Sequence, residues 1–202
     1  MSRPANQALL VIDVQNDFCP GGALAVPGGD AIIAPINALF GEFEVKVLTQ
    51  DWHPLGHSSF ASSHDNIPAY ETVNMPYGPQ VLWPDHCVQG SIGAAFHPKL
   101  STNAADMIIR KGFRAEIDSY SAFFENDRTT PTGLEGYLRT RNVTAVTLVG
   151  LATDFCVAFS ALDGARLGFD VTVDTSLCRA IDLGGSLAAA NDQMRAAGVS
   201  LL

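Results

Sequence analysis

The chain has 202 residues, 47% of them hydrophobic and 16% charged, the size and balance of about one globular domain with a substantial core. Twelve Lys and Arg against twenty-one Asp and Glu leave a net charge of −9, which argues against nucleic acid or an anionic membrane surface as the main partner. No apolar stretch approaches the roughly 18 residues of a membrane helix, and the opening MSRPANQALLVIDVQNDF lacks the long apolar region and small-residue cleavage site of a signal peptide.

Short apolar, β-branched runs alternate with helical patterns along the chain. Ala8–Val14 is continuously apolar apart from Asp13 and predicts a strand buried on both faces. Asp30–Phe40 has helical spacing, with Asp30 as N-cap. Glu44–Asp51 and Ala105–Lys111 predict the second and third strands. Leu134–Asn142 predicts a helix leading into a fourth strand at Ala145–Leu151. A helix over Phe155–Gly168, a strand at Asp170–Ser176, a helix over Ser186–Gly198 and a short last strand at Val199–Leu202 complete the pattern. Such alternation predicts a single α/β domain, a mostly parallel sheet with helices on both faces. The long segment at about 52–104 has little periodicity and is rich in His, Pro, Ser and Trp. A loop of that length inside a domain is usually functional.

Ligands of an open α/β sheet bind beyond the carboxyl ends of its strands. The first strand reaches Asp13 there, the second Asp51, the third Lys111, and the fourth runs into ATDFC, which carries Cys156. Four strand ends deliver one reactive group each to a common rim. A lone cysteine in such a chain is more often a buried packing residue. The shared rim instead favours a nucleophile at Cys156, in the first turn of a helix capped by Thr153 or Asp154, where the helix end and Lys111 favour thiolate. Asp13 is placed to hold the lysine and shuttle a proton. Asp51 and His53 are two apart on a strand and face one side, so they could share a divalent ion with a further histidine. His57, His64, His86 and His97 are the candidates, and spacing does not choose among them.

The four cysteines (Cys19, Cys87, Cys156, Cys178) form no C-x-x-C pair, which predicts reduced thiols and a cytoplasmic protein. Cys19 and Cys178 read as packing residues, and His64 and His97 as surface or turn residues. PGGALAVPGGD lacks the G-x-G-x-x-G spacing of a dinucleotide loop.

Five linked stretches carry a resemblance: LLVIDVQNDFCPGGAL, TQDWHPLGHSSF, WPDHCVQGSIGAAFHP, RKGFRAEIDSYSAFF and VGLATDFCV. In order, and over nearly the whole chain, they resemble the nicotinamidase (pyrazinamidase) branch of the isochorismatase-like cysteine hydrolases. The resemblance implies a six-stranded, mostly parallel sheet and hydrolysis of nicotinamide to nicotinate and ammonia, with pyrazinamide as a second substrate. It implies Cys156 as nucleophile with Asp13 and Lys111, and one divalent metal ion (Zn, Fe or Mn) on Asp51, His53 and His86, with His57 as a further candidate. A cis peptide at Leu151–Ala152 and an oxyanion site at the N–H groups of Ala152 and Cys156 follow from it too. So does an aromatic pocket of Phe18 and Trp83, with Tyr120 near the mouth. Phe155 stands where many members have His, and Ser91 where Thr is common. Cys87 beside His86 does not fit the family's ligand set. The competing readings are another carboxamide or carbamoyl hydrolase of the superfamily, an isochorismatase, or a catalytically silent binding module on this fold.

Overall fold

A computed structural model describes residues 3–202. Strand β1 (Gln7–Ile12) is followed by helix α1 (Ile33–Leu39) and strand β2 (Val45–Asp51). A two-stranded antiparallel hairpin, β3 (Thr72–Met75) and β4 (Gly78–Val81), lies within the long aperiodic segment. Then come β5 (Met107–Lys111), α2 (Leu134–Thr140), β6 (Ala145–Leu151), α3 (Ala158–Arg166), β7 (Asp170–Arg179), α4 (Ser186–Ala196) and β8 (Ser200–Leu201). Among the described residues no helix is long and apolar enough to cross a membrane.

The main sheet has six strands in the order β5-β2-β1-β6-β7-β8, and every neighbouring pair is parallel. The chain first steps outward from β1 to β2 and β5. It then returns across the sheet to β6 and steps outward the other way. With right-handed crossovers, α1 covers one face and α2, α3 and α4 the other. Arg139 of α2 accordingly lies 4.0 Å over the Phe169 ring and donates to the Leu167 carbonyl just past α3. The reversal falls between β1 and β6, so the crevice beyond their carboxyl ends is where a ligand belongs.

The central strands are buried on both faces, as their unbroken apolar runs require: Ala8 through Ile12 and Val146 through Leu151, with only Thr147 polar among them, are shielded from solvent. Each buried Val, Leu or Ile contributes about 1.5–3 kcal/mol. The helix expected from Asp30 begins at Ile33, and Ile32 rather than Asp30 stands at its cap without a capping side chain. The Asp30 carbonyl instead closes a turn onto the Ile33 N–H. The strand expected over Asp170–Ser176 runs on to Arg179, because a register shift in its pairing with β6 between Leu148 and Gly150 carries the ladder past the bulge to Cys178 and Arg179.

Gly150 sits at that shift with φ +123, and a Cβ there would meet the Ile12 carbonyl oxygen at 2.1 Å. Only glycine fits against β1 at this point. Gly150→Ala is therefore expected to destabilise the protein by about 2–4 kcal/mol, read as a lowered urea midpoint; an unchanged midpoint would show that β1 and β6 can separate freely.

Candidate active site

Each strand end of the sequence reading delivers its group to the reversal. Asp13 follows β1 directly with φ +48, and its backbone N–H and Oδ1 both bond the Thr49 hydroxyl of β2, the latter at 2.6 Å. Lys111 ends β5 and is 1% exposed. Its ammonium is surrounded by four groups: Asp13 Oδ2 at 2.8 Å, Asp51 Oδ1, the Ser119 carbonyl at 3.0 Å and Cys156 Sγ at 3.4 Å. Asp13 Oδ2 sits beside the ammonium without an aligned hydrogen bond. Asp13, Asp51 and Cys156 each bring one polar atom to within 4.8 Å of the others.

Electrostatics in this cluster follow from burial and from one cation among several acids. Burial works against the charge of Lys111, but Asp13 and then Asp51 hold its pKa well above the ordinary lysine value. Burial pushes the Asp13 carboxyl up, Lys111 opposes it and Asp51 adds to it, with a net rise. Burial acts upward on Asp51 too, yet Lys111 and His53 bring its carboxyl well below the usual range. For Cys156, burial is again the largest effect; Lys111 lowers the thiol and the two aspartates raise it, leaving it well above the ordinary range. Burial and the two aspartates thus oppose the thiolate that a helix end and Lys111 favour.

The turn that carries Cys156 differs from expectation. Thr153–Val157 form a single π-turn ahead of α3, with Ala152 at its cap, and neither Thr153 nor Asp154 caps it by side chain. The Ala152 carbonyl accepts from both Phe155 and Val157. The Asp154 carboxylate instead turns away to the loop after β7, where it accepts from the N–H groups of Ile181 and Asp182 and from the Ser186 hydroxyl. The peptide Leu151–Ala152 is cis.

A second cluster shares Asp51. Asp51, His53 and His86 each point one donor atom to a common space, all within 4.8 Å of one another. His53 Nε2 lies 3.6 Å and His86 Nε2 3.7 Å from Asp51 Oδ2. His53 Nδ1 bonds the Gly112 carbonyl and His86 Nδ1 the Pro84 carbonyl, each at 2.8 Å, which puts the proton on Nδ1 and turns a lone pair on Nε2 inward. His53 Nε2 is buried with no hydrogen-bond partner, a costly arrangement unless something else occupies that position. Two imidazoles and a carboxylate suit a divalent ion such as zinc, iron or manganese. Gly112, at φ +66, is required here, since a Cβ would lie 2.4 Å from the His53 ring.

His57 is not brought into that set. Its ring centre lies 4.4 Å from that of His53, tilted by 42°, while its nitrogens turn to the Ser59 hydroxyl at 2.7 Å and the Ile117 carbonyl at 3.2 Å. It groups with His53 and Asp118 instead. Asp118, which sequence reasoning left without a role, is 2% exposed and lines the pocket. It lies in an irregular stretch after β5, where no period marks a residue as inward-facing.

Phe18, Trp83, Tyr120 and Phe155 all line one pocket together with Cys156. Trp83 and Phe155 meet edge-on at 4.8 Å, and Tyr120 meets Phe155 at 5.6 Å. Tyr120, expected near the mouth, is buried in the wall, because its hydroxyl accepts from Trp83 Nε1 at 3.0 Å and Gln80 Nε2 at 2.8 Å. All four cysteines are free and buried, so Cys19 and Cys178 are packing thiols as expected. Cys87 stays outside the histidine cluster.

Residues 7–202 match the model of the isochorismatase domain family. A nicotinamidase of Acinetobacter baylyi is 54% identical over 199 residues, covering 98% of this chain and 93% of the relative. A solved nicotinamidase/pyrazinamidase of Acinetobacter baumanii superposes with a TM-score of 0.98 at 54% identity, covering 100% of this chain and 97% of the other. A pyrazinamidase of Pyrococcus horikoshii solved in complex with zinc gives a TM-score of 0.78 at 33% identity, with 98% of each chain covered. The chain therefore belongs to the isochorismatase domain family.

Proposed function

We propose that this chain is a nicotinamidase: an amidohydrolase that converts nicotinamide to nicotinate and ammonia through a thioester on Cys156, and that also accepts pyrazinamide. The observation that carries the reading is the buried ammonium of Lys111, joined to Asp13, Asp51 and Cys156 beneath an aromatic slot. The 54% identity to a nicotinamidase over nearly the full length supports the substrate. Residues 1–202 would act as one hydrolase domain, with the segment at about 52–104 supplying His53, His86 and Trp83.

Phe18, Trp83, Tyr120 and Phe155 sandwich a flat aromatic ring and exclude water from it. The ring is thereby fixed with its carboxamide over Cys156, and positioning of this kind can remove several kcal/mol from a barrier. Asp51, His53 and His86 would hold a divalent ion; when bound, it supplies a Lewis-acidic anchor for the ring nitrogen. Asp13 takes the thiol proton as sulfur attacks the carboxamide carbon. The N–H groups of Ala152 and Cys156 receive the oxyanion. Asp13 passes its proton to the departing nitrogen, which leaves as ammonia. It next takes a proton from the water that attacks the thioester, and the sulfur recovers its proton as nicotinate is released. Lys111 favours the charged form of two neighbouring carboxylates and steadies the thiolate as it forms.

Ammonia release from nicotinamide tests the reading. Purified wild type should release it rapidly, and Cys156→Ala should lose about 10⁴-fold or more of kcat/KM while retaining bound metal; residual activity within tenfold of wild type would remove Cys156 as nucleophile. Asp51→Ala should lose the metal and bind substrate more weakly, so a full equivalent of metal retained in the variant would overturn its assignment. Lys111→Met leaves two buried carboxylates without their cation and should cost about 3–5 kcal/mol of stability as well as activity, measured by urea denaturation; a variant as stable as wild type would show that the ion pairs are not what keeps the cluster together.

A further inference from the structure

Asp118 is a buried carboxylate at the cation side of the pocket that the reaction above does not use. Its Oδ1 accepts the Ser119 N–H at 2.7 Å and lies 4.0 Å from His53 Nε2, the buried ring nitrogen that has no hydrogen-bond partner. Its Oδ2 accepts from Gln80 Nε2 at 2.8 Å. Gln80 is fully buried and projects from β4, and it also bonds the Tyr120 hydroxyl, Asn126 and Tyr77. The hairpin β3–β4 therefore delivers one amide that fixes the orientation of Asp118.

Each Asp118 oxygen accepts one hydrogen bond and retains capacity for another. Asp118 does not belong to the three-donor group of Asp51, His53 and His86; it forms a second group with His53 and His57, sharing His53 with the first. Asp51 also shares its charge, since Lys111 takes Oδ1 while Oδ2 faces the histidines. The donor group thus brings less than one full negative charge to a doubly charged ion. Asp118 is the other acid lining the pocket.

We propose that Asp118 is a positioning residue for the divalent ion: held by Gln80 and the Ser119 N–H, with Oδ1 4.0 Å from His53 Nε2, it would act on the ion from outside the donor group, adding the negative charge that Asp51 shares with Lys111. This inference rests on the divalent-ion reading of Asp51, His53 and His86. Carboxylates in that outer position typically change metal affinity by about 10- to 100-fold when altered.

The test is the dissociation constant for Zn²⁺ and Mn²⁺, measured by chelator competition on the purified chain. Asp118→Asn, which keeps size and an acceptor for Gln80, is expected to weaken both ions by about 10- to 100-fold. Asp118→Glu should regain part of the loss by restoring charge, and the unfolding midpoint of metal-free Asp118→Asn should match wild type. Affinity of Asp118→Asn within twofold of wild type overturns the proposal. So does a loss that Asp118→Glu does not relieve and that accompanies a lowered metal-free midpoint, since that assigns Asp118 to packing. A wild type that binds neither ion overturns the divalent-ion reading and this inference with it, whereas normal wild-type binding with an unaltered Asp118→Asn removes this inference alone.

Discussion

The buried ammonium of Lys111 is the constraint on which the rest of the site depends. Removing a lysine from water costs several kcal/mol unless opposite charges surround it. Here Asp13 and Asp51 do so, from the ends of two strands adjacent in the sheet. The three groups come from β5, from β2 and from the residue after β1, neighbours in the order β5-β2-β1-β6. Cys156 arrives from the next strand and places its sulfur 3.4 Å from the same ammonium. A parallel sheet whose strand order reverses between β1 and β6 is what lets four distant stretches meet at one cation.

Asp51 joins the two halves of the site. One oxygen faces Lys111, and through it the nucleophile; the other faces His53 and His86. Anything that changes the charge on the histidine side is therefore felt by Lys111, and through Lys111 by Cys156 and Asp13. Burial and two carboxylates push the Cys156 thiol up, and one ammonium opposes them. On the proposed reading Asp13 is the group that removes the proton.

The parts legible in the sequence are those whose residues obey a period or sit at an element's end. The apolar runs of β1, β2 and β6 marked the central strands, and the polar residue at each end marked the rim. Asp51–His53 could be paired from strand geometry, but the third donor could not, because His86 reaches the site through a long irregular connection. Only the resemblance singled it out. The β3–β4 hairpin escaped notice because its strands are four residues each, β3 alternates only between exposed and half-buried, and β4 contains Pro79. Gln80, on so short a strand, and Asp118, in irregular chain after β5, went unassigned because neither stretch carries a period that marks an inward-facing residue. Thr153 and Asp154 had the composition of a helix cap, but a π-turn placed Ala152 there and sent Asp154 to tie down the loop that carries Ile181.

The most direct test of the central claim is to trap the covalent intermediate. Metal-loaded protein mixed with excess nicotinamide and quenched in acid during turnover would be measured by intact-protein mass spectrometry, then digested and mapped. The account predicts a nicotinoyl group on the peptide containing Cys156, attached through sulfur and released by hydroxylamine. Turnover with no adduct at any quench time, or an adduct on another residue, would contradict it.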